Sequence, residues 1–144
     1  MKSMRDKVFL DTNIFVYAYT SNDKDKHNAV LELFVKLKAT DLHLCISSQV
    51  LNEFYAVETI KYKVEHSEVV DYIKAMSKNF SVFGITRDTS LYALSLKEKY
   101  HYSWWDSLVL ASALENGCQI VYSEDMQHKQ IIENSLKIIN PFLK

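Results

Sequence analysis

The chain has 144 residues, 48% of them hydrophobic and 24% charged, the proportions of an ordinary globular protein that needs no disulfide or structural metal to fold. Only two glycines and one proline interrupt it, which leaves little material for linkers and predicts a single domain over 1–144. A formal net charge of −1 excludes recognition of a polyanion by overall charge, so a phosphate-bearing partner must meet a local basic patch or a bound cation.

The opening MKSMRDKVFLDTN has no apolar stretch long enough for a secretory leader. No later run approaches the roughly 20 apolar residues that span a bilayer, so a cytoplasmic protein without membrane contact is expected. VFL at 8–10 is a β-like run that stops at Asp11. Residues 13–20 then form a short apolar helix, and 24–39 form a longer one with Ala29, Val30, Leu33, Phe34 and Leu37 at helical spacing. LHLCI at 42–46 is the second strand. Residues 49–62 and 67–78 follow as a helical pair joined at KVEHS. SVFGI at 81–85 is the third strand, 89–100 and 104–116 are a second helical pair, and QIVY at 119–122 is the fourth strand. KIINPF at 137–142 is a fifth, confined to an edge by Pro141. Cys45 and Cys118 sit in the apolar runs LHLCIS and CQIVYS and are expected as buried thiols in a reducing compartment. Strands alternating with helices predict an α/β fold whose mostly parallel sheet is covered on both faces.

Four acids occupy particular places in this layout. Asp11 directly follows the first strand, and Asp125 follows the fourth by two polar residues. If both strands are parallel, the two acids share the carboxyl rim of the sheet, where open α/β sheets bind ligands. Glu53 lies three after Val50 and four before Val57, on or beside the face marked by Val50, Phe54, Val57 and Ile60. Asp106 precedes Val109, Leu110 and Ala113 at three, four and seven. Each acid also has a local explanation. Asp11 can cap the first helix, Ser103-x-x-Asp106 resembles a capping box, Asp125 can cap a short helix from Met126, and Glu53 can pair with a buried cation. Together they are less easily explained as caps, because the topology brings them toward one place. If they converge, two carboxylates about 4 Å apart repel by about 4 kcal/mol at an effective dielectric of 20, and a cation or raised pKa values must answer that. No His or Cys is placed to join them, so the donors are all oxygen, and hard cations, Mg²⁺ or Mn²⁺, suit such a set. Thr12, Asn13 and Ser123 can add neutral oxygens or hold water.

FLDTNIFVYA, SSQVLNEF, YSWWDSLVLASALENGC and VYSEDMQ, in that order and spacing, resemble the PIN-domain family, and within it the VapC-like toxin ribonucleases of type II toxin–antitoxin pairs. The resemblance runs from about Val8 to the C-terminus. It implies a three-layer α/β/α sandwich and a metal-dependent endoribonuclease that cuts RNA such as tRNA, forms a homodimer and is inhibited by a cognate antitoxin. It also implies that Asp11, Glu53, Asp106 and Asp125 are the catalytic and metal-holding acids, with Ser123 as hydroxyl neighbour. Glu124 stands beside Asp125, and which of the two faces the metal stays open at this level.

Other readings fit less well. A haloacid-dehalogenase-like phosphatase needs a second acid two residues after the first, where this chain has Asn13, and a receiver domain needs a late lysine that VYSED lacks. No G-x-G-x-x-G exists for a dinucleotide. The alternative from another class is a PIN-like module that binds RNA or protein without cutting. Tyr100, Tyr102, Trp104 and Trp105 offer either core packing or rings for unpaired bases. Phe15, Tyr17, Tyr19, Phe34, Phe54 and Tyr55 offer either core or an antitoxin groove. Lys61, Lys63, Lys74 and Lys78 offer either a solvated face or phosphate contacts, and the five histidines default to surface positions.

Overall fold

In the computed structural model, the described residues form six strands, β1 (Lys7–Leu10), β2 (His43–Ser47), β3 (Ser81–Phe83), β4 (Ile120–Tyr122), β5 (Ile131–Ile132) and β6 (Leu136–Ile139). They form one sheet in the order β3-β2-β1-β4-β6-β5, in which every pair is parallel except β5 with β6. Residues 6–20 and 22–143 are described; residues 1–5, part of the stretch read for a leader peptide, lie outside them. Helices α1 (Thr12–Tyr19), α2 (Lys24–Ala39), α3 (Ser48–Ala56), α4 (His66–Asn79), α5 (Arg87–Tyr100) and α6 (Trp104–Glu115) flank the sheet. The mostly parallel α/β architecture expected from the alternation is therefore present.

The central strand explains the fold's polarity. Val8, Phe9 and Leu10 are at most 1% exposed, as befits a strand covered on both faces. From β1 the chain adds β2 and then β3 on one side, and returns with β4 on the other. Strand order thus reverses at β1, which creates a crevice beyond the carboxyl ends of β1 and β4. Leu10 is in register with Tyr122, and the Asp11 N–H donates to the Tyr122 carbonyl at 3.0 Å, so Asp11 and the residues after Tyr122 must emerge side by side. Helix α6 is buried continuously from Ser107 to Ala113. Fully buried Phe15 and Phe54 anchor the helices before and after β2, with Phe15 edge-on to Phe80 at 5.1 Å. Cys45 and Cys118 are buried free thiols.

Three local expectations are corrected. The run 137–142 is not an edge strand: β6 ends at Ile139, before Pro141, and is bonded on both sides, to β4 and to the short β5. That edge strand has only two residues, too few to show alternation. Its turn to β6 takes Glu133 and Asn134 through φ 51° and 59°, the double left-handed geometry usually marked by Asn-Gly, and Glu-Asn hides the hairpin. No helix starts at Met126, so Asp125 caps nothing there. Finally, residues 49–62 are not one regular helix, because α3 widens into a π-helical turn over Val57–Lys61. The extra residue per turn breaks the three- and four-step pattern, leaving Ile60 76% exposed while Glu58 is fully buried. Thr20 Oγ1 donates to Glu58 Oε1 at 2.6 Å, which offsets part of the cost of burying that carboxyl.

Among the described residues, no helix is long and apolar enough to cross a membrane.

Candidate metal centre

Asp11 directly follows β1 and is the N-cap of α1, so the capping explanation is realised: its Oδ1 accepts the Thr12 N–H at 2.7 Å. The other oxygen does something a cap does not require. Oδ2 accepts from Ser123 Oγ at 2.8 Å, across the gap between β1 and β4. Ser123 Oγ in turn accepts the Asp125 N–H at 3.2 Å, so one fully buried hydroxyl orients Asp11 and tightens the turn that carries Asp125. Asn13 completes this fastening. Its Nδ2 donates to Asp125 Oδ2 at 3.0 Å, and its Oδ1 accepts the Glu124 N–H at 3.2 Å.

Asp106 arrives from the first turn of α6. Ser103 caps that helix through its Oγ, which accepts the Asp106 N–H at 3.1 Å, but among the described residues the reciprocal bond that would close a capping box is not formed. The Asp106 carboxylate is thereby spared for the crevice. Asp11, Asp106 and Asp125 each offer a carboxylate oxygen within 4.8 Å of the others'. Asp11 is buried, Asp106 half-buried and Asp125 exposed.

Glu53 stands at the border of this triad. It is half-buried and electrostatically coupled to the Asp residues, and its Oε1 accepts from Gln49 Nε2 at 2.6 Å. The same Nε2 donates to the Trp105 carbonyl at 3.0 Å. Gln49 thus ties Glu53 to the residue before Asp106, and no buried cation pairs with Glu53 among the described residues. Sequence reading missed Gln49, although its i, i+4 relation to Glu53 was visible. It also missed Lys26, which resolves the question of Glu124. Both Glu124 oxygens are engaged outside the triad, with Lys26 Nζ 2.9 Å from Oε2 and the Tyr17 hydroxyl donating to Oε1 at 2.9 Å. Asp125, not Glu124, faces the other acids.

The electrostatics follow from this crowding. Burial, opposed by the Ser123 and Thr12 hydrogen bonds and reinforced by Asp106 and Glu53, pushes the Asp11 carboxyl from 3.8 up to about 7. Burial likewise raises Glu53, with Asp106 and Asp125 adding repulsion and Gln49 opposing. Asp106 is raised by burial and by Asp125, against Ser103. Three carboxyls raised together at one crevice are either partly protonated or matched by a cation. The donor set fits a hard divalent ion: all oxygen, with Thr12 Oγ1 buried beside Asp11 and without a partner among the described residues.

The neighbouring aromatic residues divide. Tyr100 and Tyr102 use their hydroxyls to hold the backbone N–H groups of Glu133 and Gln127, Trp104 is half-buried, and Trp105 is 59% exposed. Of the rings considered for a groove, Phe15 and Phe54 belong to the core, whereas Tyr19 and Tyr55 reach the surface.

No curated protein matches the chain, but solved structures do. A toxin–antitoxin complex from Klebsiella pneumoniae aligns with TM-score 0.68 at 19% identity, over 93% of this chain and 97% of that one. VapC20 of Mycobacterium tuberculosis, a toxin that cleaves the sarcin–ricin loop, aligns with TM-score 0.65 at 19% identity, over 79% and 86%. The DNA-bound VapBC of Salmonella typhimurium aligns with TM-score 0.64 at 15% identity, over 92% and 98%. At such identities the likeness bears on the fold. The PIN domain family model matches residues 8–133, nearly the whole chain, and the protein belongs to the PIN domain family.

Proposed function

We propose that this chain is a single-domain, metal-dependent endoribonuclease using Mg²⁺ or Mn²⁺, and the toxin of a toxin–antitoxin pair. The observation that carries the reading is the convergence of Asp11, Asp106 and Asp125, from three separate elements, within 4.8 Å of one another at the strand-order reversal. Acids that structure alone would keep apart are fastened together here by Ser123, Asn13 and Gln49. The similarity to VapC and VapBC structures supports a protein antitoxin as partner, and a homodimer and an RNA substrate, with tRNA the first to test, belong to the same reading.

Asp11, Asp106 and Asp125 are the groups that would hold the cation, with Glu53 at its border directly or through water. A divalent ion at such a site acidifies water and offsets charge on phosphoryl oxygens. The chain's own residues supply position. Ser123 Oγ and the Thr12 N–H fix both oxygens of Asp11, and Asn13 Nδ2 fixes Asp125. Gln49 Nε2 fixes Glu53 Oε1, holding its carboxylate at the border of the three aspartates against the burial and the Asp106 and Asp125 charges that raise its pKa.

The test is incubation of the purified chain with total tRNA and Mn²⁺ or Mg²⁺, with and without EDTA. Cleavage that EDTA stops, and that Asp11→Asn abolishes in a folded protein, is expected. Full activity of Asp11→Asn overturns the assignment, and metal-independent binding without cleavage identifies a binding module instead.

A further inference from the structure

The acidic crevice poses a problem for a polyanionic substrate, and the π-helical turn bears on it. Lys61 closes that turn. Together with Thr12, Asn13, Glu53, Tyr62 and Asp125 it lines a cleft of about 240 Å³. Its Nζ lies 5.4 Å from the centre of the Tyr62 ring, and among the described residues it belongs to none of the ion pairs, Lys26–Glu124, Arg87–Asp88 and Lys99–Glu133. Two other lysines differ in setting. Lys26 is committed to Glu124. Lys78 borders a different cleft, with His43 and Ser81 at the opposite ends of β2 and β3. A regular continuation of α3 would keep the three- and four-step rhythm; the wider turn instead carries Ile60 out to solvent and leaves Lys61 at the mouth of the acid-lined cleft. π-turns recur at functional positions because they re-aim side chains in this way.

We infer that Lys61 is a substrate-positioning residue whose ammonium takes a backbone phosphodiester of the RNA, next to the one that is cut. The inference rests on the nuclease reading for the identity of the strand. Lysine suits the task as a compact point charge with three donors on a long stem, and the aromatic face of Tyr62 limits its wandering. With a chain charge of −1, a cleft-lining cation outside the ion pairs of the described residues lets a phosphate chain lie along a row of carboxylates.

The experiment is fluorescence-anisotropy binding of labelled total tRNA to the whole protein in EDTA over a series of KCl concentrations, followed by cleavage kinetics in Mn²⁺. Loss of one phosphate contact flattens the log Kd against log [KCl] slope by about 0.7–0.9. Lys61→Gln is expected to show that flattening, a Kd raised about two- to fivefold, and a loss in cleavage carried by KM rather than kcat. Lys61→Arg is expected to restore the slope, and Lys78→Gln to leave it unchanged. An unaltered slope in Lys61→Gln, an equal change in Lys78→Gln, or no salt-dependent binding by the unsubstituted chain overturns the assignment. A flattened slope without any cleavage in Mn²⁺ upholds the phosphate contact and defeats the nuclease reading, whereas cleavage with an unaltered slope does the reverse.

Discussion

Asp11→Asn should make the metal-free protein more stable at pH 8, while removing its activity. Burial raises the Asp11 carboxyl from 3.8 to about 7. The folded state therefore binds a proton that the unfolded chain has released between about pH 4 and pH 7, so stability falls as pH rises through that window. Above it, holding the charge costs about 4 kcal/mol relative to the unfolded chain, at 1.36 kcal/mol for each pKa unit. Asparagine carries no charge and can still accept from either Thr12 N–H or Ser123 Oγ, though not both in the present geometry, which forfeits about 1 kcal/mol. The net gain is about 1–3 kcal/mol at pH 8, and roughly 4 °C in Tm accompanies each kcal/mol at this chain length. At pH 4 the gain vanishes and the lost hydrogen bond makes the variant slightly weaker. Thermal unfolding in EDTA at pH 4, 6 and 8 measures this directly. An unsubstituted protein whose Tm is flat across that range, or a variant equally destabilised at pH 4 and pH 8, would refute the electrostatic reasoning. Excess Mn²⁺ should reverse the ranking at pH 8, because only the unsubstituted protein retains the ligand.

Asp125→Asn should reduce cleavage at least tenfold more than Glu124→Gln, since both Glu124 oxygens are taken by Lys26 and Tyr17 while Asp125 belongs to the triad; equal losses in kcat would reverse that division of roles. Gln49→Leu, which frees Glu53 from the Trp105 carbonyl, should cost about 10- to 100-fold in activity, the range seen when support for metal-site groups is removed, with an unfolding midpoint shifted far less. Phe54→Ala should destabilise by about 3–5 kcal/mol because the ring is fully buried, whereas Ile60→Ser should change stability by less than about 0.5 kcal/mol because Ile60 is 76% exposed. Chemical denaturation of the two variants separates them.

The placement of Asp11 and Asp125 was readable because strand ends in a parallel sheet share a rim, and both strands were short, apolar and followed by polar residues. Asp106 was readable from the apolar spacing after it. The choice between Glu124 and Asp125 was not, because it turns on Lys26, a residue about a hundred positions away with no local pattern linking the two. Glu53 was found beside its helix face, but the apolar periodicity used to place it ran one step too far: Val50, Phe54 and Val57 follow a helical rhythm, and the π-turn then breaks it before Ile60. The edge strand β5 was invisible since two residues carry no alternation and its turn lacks glycine. Pro141 misdirected the reading of β6, being a signal about the residue it occupies and not about the strand that ends two residues earlier.

The bond from Ser123 to Asp11 spans 112 residues, and that separation sets a timetable. At about 5–20 residues per second on the ribosome, roughly 6–22 s pass between synthesis of the first acid and of the strand end that must meet it. Until β4 inserts beside β1, Asp11 has neither its hydroxyl partner nor the carboxylate of Asp125 within reach. Every nascent or truncated chain lacking β4 is consequently without the assembled centre, so chain order alone keeps the three aspartates apart in unfinished copies.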